Sequence, residues 1–398
     1  MDIIISPKKL SGTVNAVSSK SDAHRKIIAA ALSDKETQII MNNFSDDIDA
    51  TLDAIKNLGG DFIKNENGVV VKPISKTPKK VSLDFCESGS TARFLLPITA
   101  ALCENAEFSG RGRLPGRPFA DLTNAMRKNG VEVSSDNLPI KTSGKLKSGV
   151  FEIRGDVSSQ YITGLLFALL NVDGESKIHL TSELLSAPYV DMTLDTLKAF
   201  GAKIEVLENE YLVKPQKLIS PETVAVEGDW SQAAFWVVAN KICGNIEISG
   251  MNENSRQGDK KITEILDDTE IDATHIPDLV PILTVLAASR VGTTRIYGAE
   301  RLRIKESDRL FAMTKCINDL GGCAKETEDG IIIEGTGKLS GGVVDSFSDH
   351  RIAMATAVAS LICENEVKIM NAECVKKSYP AFFEDFKKLG GVCHVCNG

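Results

Sequence analysis

The stretch 19–32, Ser-Lys-Ser-Asp-Ala-His-Arg-Lys-Ile-Ile-Ala-Ala-Ala-Leu, opens polar and cationic and runs into an unbroken apolar helix pattern. Its design recurs. Similar clusters open apolar runs at 87–102 (ESGSTARFLLPITAAL), 157–170 (VSSQYITGLLFALL), 228–242 (GDWSQAAFWVVANKI), 275–289 (HIPDLVPILTVLAAS) and 347–362 (FSDHRIAMATAVASLI). Most steps are about 70 residues, and the step from the fourth to the fifth is about 47. A fixed period of this kind marks a repeated supersecondary unit.

A second, amphipathic helix follows most of these runs. The stretches 47–60, 117–131, 188–202, 307–322 and 379–391 carry apolar residues at i, i+3, i+4 and i+7, with glycine at or near the end. β-rich runs such as GVVVKP (68–73), KIEVLENEYLVKP (203–215) and GIIIEG (330–335) then read as hairpin strands. The unit is β-α-β-α-β-β, used six times, and its fourth copy around 259–272 is shortened. Six units divide into two domains of three. A composition break at 214–230 marks the crossing, giving residues 1–13 plus 228–398 as one domain, 14–219 as the other, and 220–227 between them. A single doubly wound sheet fits poorly, because hairpins separate the helices.

The 398-residue chain has 42% hydrophobic and 25% charged residues, a globular composition. A net charge of −8 disfavours non-specific nucleic-acid binding, so any anion site must concentrate its cations locally. Nine scattered cysteines argue for a reducing compartment rather than a disulfide framework. Cys393 and Cys396 have CxxC spacing with no second pair, and read as a C-terminal strand. The N-terminus lacks the apolar core of a signal peptide, and no stretch approaches 18 apolar residues. GTGKLSGG (335–342) lacks the GKS or GKT of a phosphate loop and reads as a turn.

The polar clusters at the helix starts carry the chemistry. Helix N-termini favour anions, and the repeats would aim several of them alike, so two such faces across a hinge would make a cleft. Lys20, Ser21 and Arg25 supply ammonium, hydroxyl and guanidinium. Gly89, between serines and one turn before Arg93, allows close backbone approach. Arg111, Arg113 and Arg117 lie in a Gly/Pro loop suited to phosphate or carboxylate. Ser158, Ser159 and Gln160 open the third run; Asp278, the pair His350 and Arg351, and Lys377 mark later ones. In RLRIKESDRL (301–310), a helix starting within IKESDR would put Lys305 and Arg309 one turn apart, with Glu306 beside Arg309 at i+3. Asp308 would then be a helix-start charge or an arginine's partner, and Arg303 solvated or structural.

SKSDAHR, ESGSTAR, GRP (116–118), VSSQ, SAPY, HIPD, KESDR, SDHR and KKSYP together resemble, in order and over nearly the whole chain, the motifs of the 5-enolpyruvylshikimate-3-phosphate (EPSP) synthases, the 3-phosphoshikimate 1-carboxyvinyltransferases. The resemblance implies an α/β fold of two domains, an inside-out α/β barrel with three βαβαββ units each, that closes about a hinge. It implies transfer of the enolpyruvyl group of phosphoenolpyruvate to the 5-hydroxyl of shikimate 3-phosphate, with release of phosphate. Lys20, Arg117 and Lys377 would hold the phosphate of phosphoenolpyruvate, Arg309 and Arg351 its carboxylate, and Gly89 would line that pocket. Gln160 would lie between the two substrates. Lys20, Ser21 and Arg25 would bind shikimate 3-phosphate, with Ser158, Ser159 and Ser186 on its phosphate, Tyr189 by the ring, and Asp278 and Lys305 on its hydroxyls. Asp278 and Glu306 would move protons, with Lys20 or Lys377 assisting phosphate departure. No metal or organic cofactor is required, no nucleic-acid or membrane partner is implied, and a cytoplasmic monomer is expected.

The chain departs from the commoner pattern at Glu87, Ser88, Ser90, Ala187 and Arg301, where relatives often carry other residues. The nearest rival is the sister enolpyruvyl transferase acting on UDP-N-acetylglucosamine, for which a cysteine in the 111–117 loop is expected; this loop has none. A non-catalytic clamp of similar repeats would need a basic inner surface, which the acidic balance opposes.

Overall fold

In a computed structural model, described here for residues 1–396, the chain forms two compact units: Met1–Ser19 together with the chain from Glu227 onward, and Lys20–Val226. Each has its own apolar core.

The unit Lys20–Val226 contains six α-helices: α1 (Lys20–Ala31), α2 (Asp46–Asn57), α3 (Gly89–Leu102), α4 (Ala120–Lys128), α5 (Ser159–Leu169) and α6 (Ala187–Ala199). Its three four-stranded sheets share one topology. In the second, Lys80–Asp84 runs parallel to Asn105–Ser109 across α3, Ile140–Ser143 pairs antiparallel to Asn105–Ser109, and Glu132–Val133 takes the edge. The sheet around Ser176–Leu180 repeats the pattern. The first sheet takes its parallel strand from the unit's far end, where Thr223–Ala225, within the stretch read as the crossing, pairs with Gln38–Ile40.

The other unit holds α7 (Trp230–Cys243), α8 (Val280–Ala288), α9 (Arg309–Asp319), α10 (His350–Ala359) and α11 (Phe382–Lys388). Two of its sheets keep the same strand order. In the last one the chain's first strand, Asp2–Ser6, lies between Val367–Met370 and Val392–Cys396. The shortened copy is a two-stranded sheet, Gly12–Asn15 parallel to Ile246–Ser249, so residues 12–15 pack with this unit. A 3₁₀ segment, Gly258–Thr263, stands where the other copies have a second helix, and no hairpin follows it among the described residues.

The helix patterns explain the layering. Every residue of α8 and of α10 is buried, whereas strands such as Lys80–Asp84 and Val150–Ile153 alternate buried and exposed side chains. A helix apolar all round must sit inside, and a strand of period two can face water on one side. Helices therefore fill the interior of each unit, with sheets outside. Gly164 permits the closest helix approach: a Cβ there would stand 2.4 Å from the carbonyl oxygen of Arg93 and 3.1 Å from the Cα of Phe94. That contact seats α5 against α3. In the other unit Trp236 stacks on Phe382 at 4.9 Å and meets Tyr379 edge-on, joining α7 to α11. Cys393 and Cys396 fall three apart on one strand, hence on opposite faces, and all nine cysteines are free. GTGKLSGG joins two strands, as a turn does.

Candidate functional site

In the Lys20–Val226 unit, the starts of α1, α2, α3 and α5 bring together most of the sequence-predicted residues. Lys20, the first residue of α1, pairs with Asp47 of α2 at 2.6 Å, and both are largely buried. Ser88 caps α3 through a hydroxyl that accepts from the Thr91 amide. Gly89 follows, with no room for a side chain: a Cβ would lie 2.7 Å from Nη1 of Arg117 and 2.8 Å from Nη1 of Arg93. Two guanidinium groups thus converge on one glycine, which packing alone has no reason to demand. Arg93 donates to Oε1 of Gln160 at 2.9 Å, and Nε2 of Gln160 donates to the Ser90 hydroxyl at 2.9 Å. The Arg93 guanidinium also lies over the rings of Phe119 and Tyr161, which hold it in place.

Arg25 is buried. It donates to Thr193 Oγ1, to the Tyr189 carbonyl and to the Ser21 carbonyl at 2.9, 2.8 and 2.5 Å, and lies over Phe94. Burial lowers its pKa to about 10, against the pull of Asp22, so it remains charged at neutral pH. Its contacts tie α1 to α6 and to the Tyr189 backbone. Ser158 caps α5, accepting from the Gln160 amide, and Ser159 begins that helix. Ser186 sits before α6 in the left-handed region at φ 62°. A serine held there signals a local constraint.

The other unit assembles a tighter cluster around Asp278. Asp278 lies in a 3₁₀ turn, Pro277–Leu279, leading into α8. Its two oxygens accept from Arg309 Nη1 at 2.8 Å and Arg351 Nη2 at 3.0 Å, with Lys305 Nζ at 3.9 Å. Arg309, 1% exposed, also donates to Glu306 at 2.8 Å and from Nε to Asp349 at 2.8 Å. Asp349 caps α10 by accepting from the Arg351 amide, and accepts from the Ser307 hydroxyl. Burial pushes the Asp278 carboxyl up, but Arg351, Lys305 and Arg309 overcome it, and Glu306, and hold the group well below the usual carboxylate range. The Arg309 guanidinium is held above its ordinary value: burial opposes its charge, and Asp349, Glu306 and Asp278 outweigh burial. Lys377 ends a 3₁₀ segment, Ala372–Lys377, and is buried.

The decamer 301–310 differs from its expected form. A 3₁₀ segment, Glu300–Ile304, covers its start, Asp308 is the cap, and α9 begins only at Arg309. Lys305 and Glu306 are outside the helix, because a capped helix cannot start before its Asp308 cap. Lys305 and Arg309 still converge on Asp278 through the loop, and Glu306 meets Arg309. Asp308 takes both suggested roles, accepting from the Phe311 amide and from Arg303. Arg303 is structural, donating to the Thr327 carbonyl and to Glu326. Arg301 donates to the Thr274 carbonyl.

Sequence reasoning left three residues out of the candidate set. Arg93 stands one turn into α3, a spacing visible in ESGSTAR. Asp349 precedes His350 and Arg351 in SDHR, where a helix-start aspartate reads as a mere cap. Asp47 lies in the first turn of the second helix, 27 residues from the lysine it pairs with, and has no local signal.

Repeated βαβαββ units thus gather arginines, lysines and carboxylates at or near helix starts, an arrangement with the charge to hold small anions. A family model described as EPSP synthase (3-phosphoshikimate 1-carboxyvinyltransferase) matches residues 4–273 and 266–386. The chain is 43% identical to the 3-phosphoshikimate 1-carboxyvinyltransferase of Clostridium novyi, with 98% of each chain covered, and 43% identical to that of Clostridium acetobutylicum, covering 98% of this chain and 97% of the relative. A solved structure of EPSP synthase from Acinetobacter baumannii matches over the full length of both chains at 26% identity and TM-score 0.84. An enolpyruvyl transferase, NikO, from Streptomyces tendae shares the fold at 16% identity and TM-score 0.81. This chain belongs to the EPSP synthase family.

Proposed function

We propose that the chain is a 3-phosphoshikimate 1-carboxyvinyltransferase that joins phosphoenolpyruvate to the 5-hydroxyl of shikimate 3-phosphate in the shikimate pathway. The hydroxyl oxygen adds to C2 of phosphoenolpyruvate and loses its proton while C3 gains one. The tetrahedral adduct then loses phosphate and one C3 proton, leaving the enolpyruvyl ether and inorganic phosphate. Lys20, Arg117 and Lys377 are assigned to the phosphoenolpyruvate phosphate, Arg309 and Arg351 to its carboxylate, Gly89 to the pocket wall, and Gln160 to the space between the substrates. Ser21, Arg25, Ser158, Ser159, Ser186 and Tyr189 are assigned to shikimate 3-phosphate, with Lys20 shared. Asp278 and Lys305 are assigned to its hydroxyls.

The observation that carries the reading is the Asp278 cluster. A carboxylate bridged by two arginines, with a second carboxylate on the same arginine, suits a two-proton reaction between anions. Held so low, Asp278 is a weak base. A substrate anion on Arg351 and Arg309 would draw away the charges that lower it, and its basicity would rise as the hydroxyl arrives. Glu306, bound to the same Arg309, is the partner for C3. The dense cations offset the repulsion between two anionic substrates.

No helix among the described residues is long and apolar enough to cross a membrane. A cytoplasmic monomer, working without metal or organic cofactor, completes the proposal; nine free thiols suit a reducing compartment. The test is phosphate release from the unaltered chain with both substrates. Release that needs both supports the reading. No release with this pair, but release with UDP-N-acetylglucosamine and phosphoenolpyruvate, would transfer the chain to the sister activity.

A further inference from the structure

Behind Lys20 lies a buried polar chain that the reaction scheme does not use. Lys20 and His24 are i and i+4 on one face of α1; Asp47 and Thr51 are i and i+4 on one face of α2. The two helices are joined by two rungs. The outer is the Lys20–Asp47 ion pair at 2.6 Å, and the inner joins His24 Nδ1 to Thr51 Oγ1 at 2.8 Å. Thr51 meets Thr91 Oγ1 on α3 at 2.6 Å, and Thr91 meets the Ser88 hydroxyl at 2.7 Å, directly before Gly89. Both threonine hydroxyls also reach the Asp47 carbonyl, at 3.4 and 3.3 Å. His24, Thr51, Thr91 and Ser88 are fully buried. Nε2 of His24 has no hydrogen-bond partner.

We propose that His24 is a positioning residue for phosphoenolpyruvate binding, donating a proton from Nδ1 into a Thr51–Thr91 relay that fixes both the Lys20–Asp47 pair and the turn carrying Gly89. The inference rests on the reading of Lys20 and Gly89 as phosphoenolpyruvate contacts. The polarity follows from the need to satisfy buried donors. With the proton on Nδ1, Thr51 donates to Thr91 and Thr91 to Asp47 or Ser88, so the His24 N–H and both threonine O–H groups have acceptors. With the proton on Nε2, a buried N–H is orphaned, which native structures avoid. The ring stays neutral in this role, because burial, with Lys20 and Arg25 and against Asp47, lowers its pKa to about 3.

The test compares His24→Leu, His24→Asn and Thr51→Val by steady-state kinetics. Loss of one buried hydrogen bond is worth roughly tenfold, so His24→Leu and Thr51→Val should raise the KM for phosphoenolpyruvate about tenfold, and that for shikimate 3-phosphate less. His24→Asn keeps a donor at the Nδ1 position and should stay within about threefold of the unaltered chain. In an Asp47→Asn background the His24→Leu penalty should shrink to about twofold, since the inner rung acts on Lys20 through the outer one. Equal rises for both substrates, no rescue by asparagine, or full additivity with Asp47→Asn would overturn the proposal. Nitrogen NMR shifts of His24 supply a readout that needs no turnover, with Nδ1 protonated as the expected state. An Nε2 proton refutes the relay whatever the kinetics. Failure of the unaltered chain to release phosphate would instead sink the functional reading and leave the relay to stand or fall on the NMR.

Discussion

Removing the Asp349 carboxylate should strongly destabilise the unit built from Met1–Ser19 and the chain from Glu227 onward. The side chain is 0% exposed, and its main partner, Arg309, is 1% exposed. It accepts from Arg309 Nε at 2.8 Å, from Ser307 at 3.0 Å and from the Arg351 amide at 2.9 Å. The cluster is balanced, with Arg309, Arg351 and Lys305 against Asp278, Glu306 and Asp349. Asp349→Ala leaves a net positive charge and an unanswered Nε–H in the interior. Breaking a buried pair from one side costs about 3–5 kcal/mol, and losing a helix cap about 1 more. Asp349→Asn keeps the cap and one acceptor, so about half that loss is expected. Both tryptophans of the chain, Trp230 and Trp236, lie in α7 of this unit, so fluorescence during urea unfolding reports on it alone. With a slope of about 3 kcal/mol per molar urea, the midpoint should fall by about 1.5 M for alanine and by under about 1 M for asparagine. A shift below about 0.3 M for alanine would refute the charge-balance argument, and asparagine matching alanine in full would refute the share given to the cap and the retained acceptor.

The same fluorescence assay tests two carboxyls of opposite sign. Asp278 is held low by Arg351, Lys305 and Arg309 in spite of burial, so its stabilisation is complete above the ordinary carboxylate range and lost as pH falls below about 4. The cost of Asp278→Asn should therefore be largest at neutral pH and fade in acid; a pH-independent cost would contradict it. Asp259 is buried, accepts from Ser231, and has one oxygen without a partner. Burial, then Asp278, raise its pKa to about 6 against Arg351 and Ser231, so the folded unit loses stability as pH rises from about 4 to 6. Asp259→Asn should be more stable than the unaltered chain by on the order of 3 kcal/mol at pH 8 and show no gain at pH 4; destabilisation at pH 8 rules this out. Gly89→Ala presses its methyl on the terminal nitrogens of the buried Arg117 and Arg93, at a φ that alanine accepts. It should destabilise the Lys20–Val226 unit by about 1–3 kcal/mol, the cost of overpacking, and raise the KM for phosphoenolpyruvate roughly tenfold as the two guanidinium groups shift. An unchanged KM would separate Gly89 from that substrate.

The repeat architecture was legible because each unit is local: a polar helix start, an apolar helix, an amphipathic helix and a hairpin fall within about 70 residues, and their periodicities differ. Even the short fourth copy announced itself through its missing closing glycine. The sequence groups residues 1–13 with 228–398, but it hides the strand pairings that join distant segments. Thr223–Ala225 completes a sheet begun at Gln38, and Asp2–Ser6 enters between two strands near the other terminus. Pairing at such separation leaves no periodic trace. The start of α9 differs for another reason: KESDR contains two acceptable caps, Ser307 and Asp308, and the helix uses Asp308 while Ser307 donates to Asp349.

The charges around the candidate site also explain how an acidic chain can hold anions. Lys20, Lys305, Arg309 and Arg351 each lie beside at least one carboxylate, at distances from 2.6 to 3.9 Å. A motif reading sees the cations and takes them as open receptors. Physically, largely buried and unanswered cations would cost several kcal/mol each, so the fold supplies Asp47, Asp278, Glu306 and Asp349 as internal counterions. An incoming phosphate or carboxylate then competes with a carboxylate already in place, and only the difference in interaction energy appears as affinity. At Lys20 a dianionic phosphate has the charge to outcompete the single Asp47 carboxylate, whereas at Arg309 and Arg351 a substrate carboxylate would share the two guanidinium groups with Asp278. On the proposed assignment, a substrate carboxylate on Arg309 and Arg351 would loosen their hold on Asp278 as the hydroxyl arrives. The residues least visible in the sequence, Asp47 and Asp349, are thus the ones that pair with Lys20 and Arg309 and keep those cations in place.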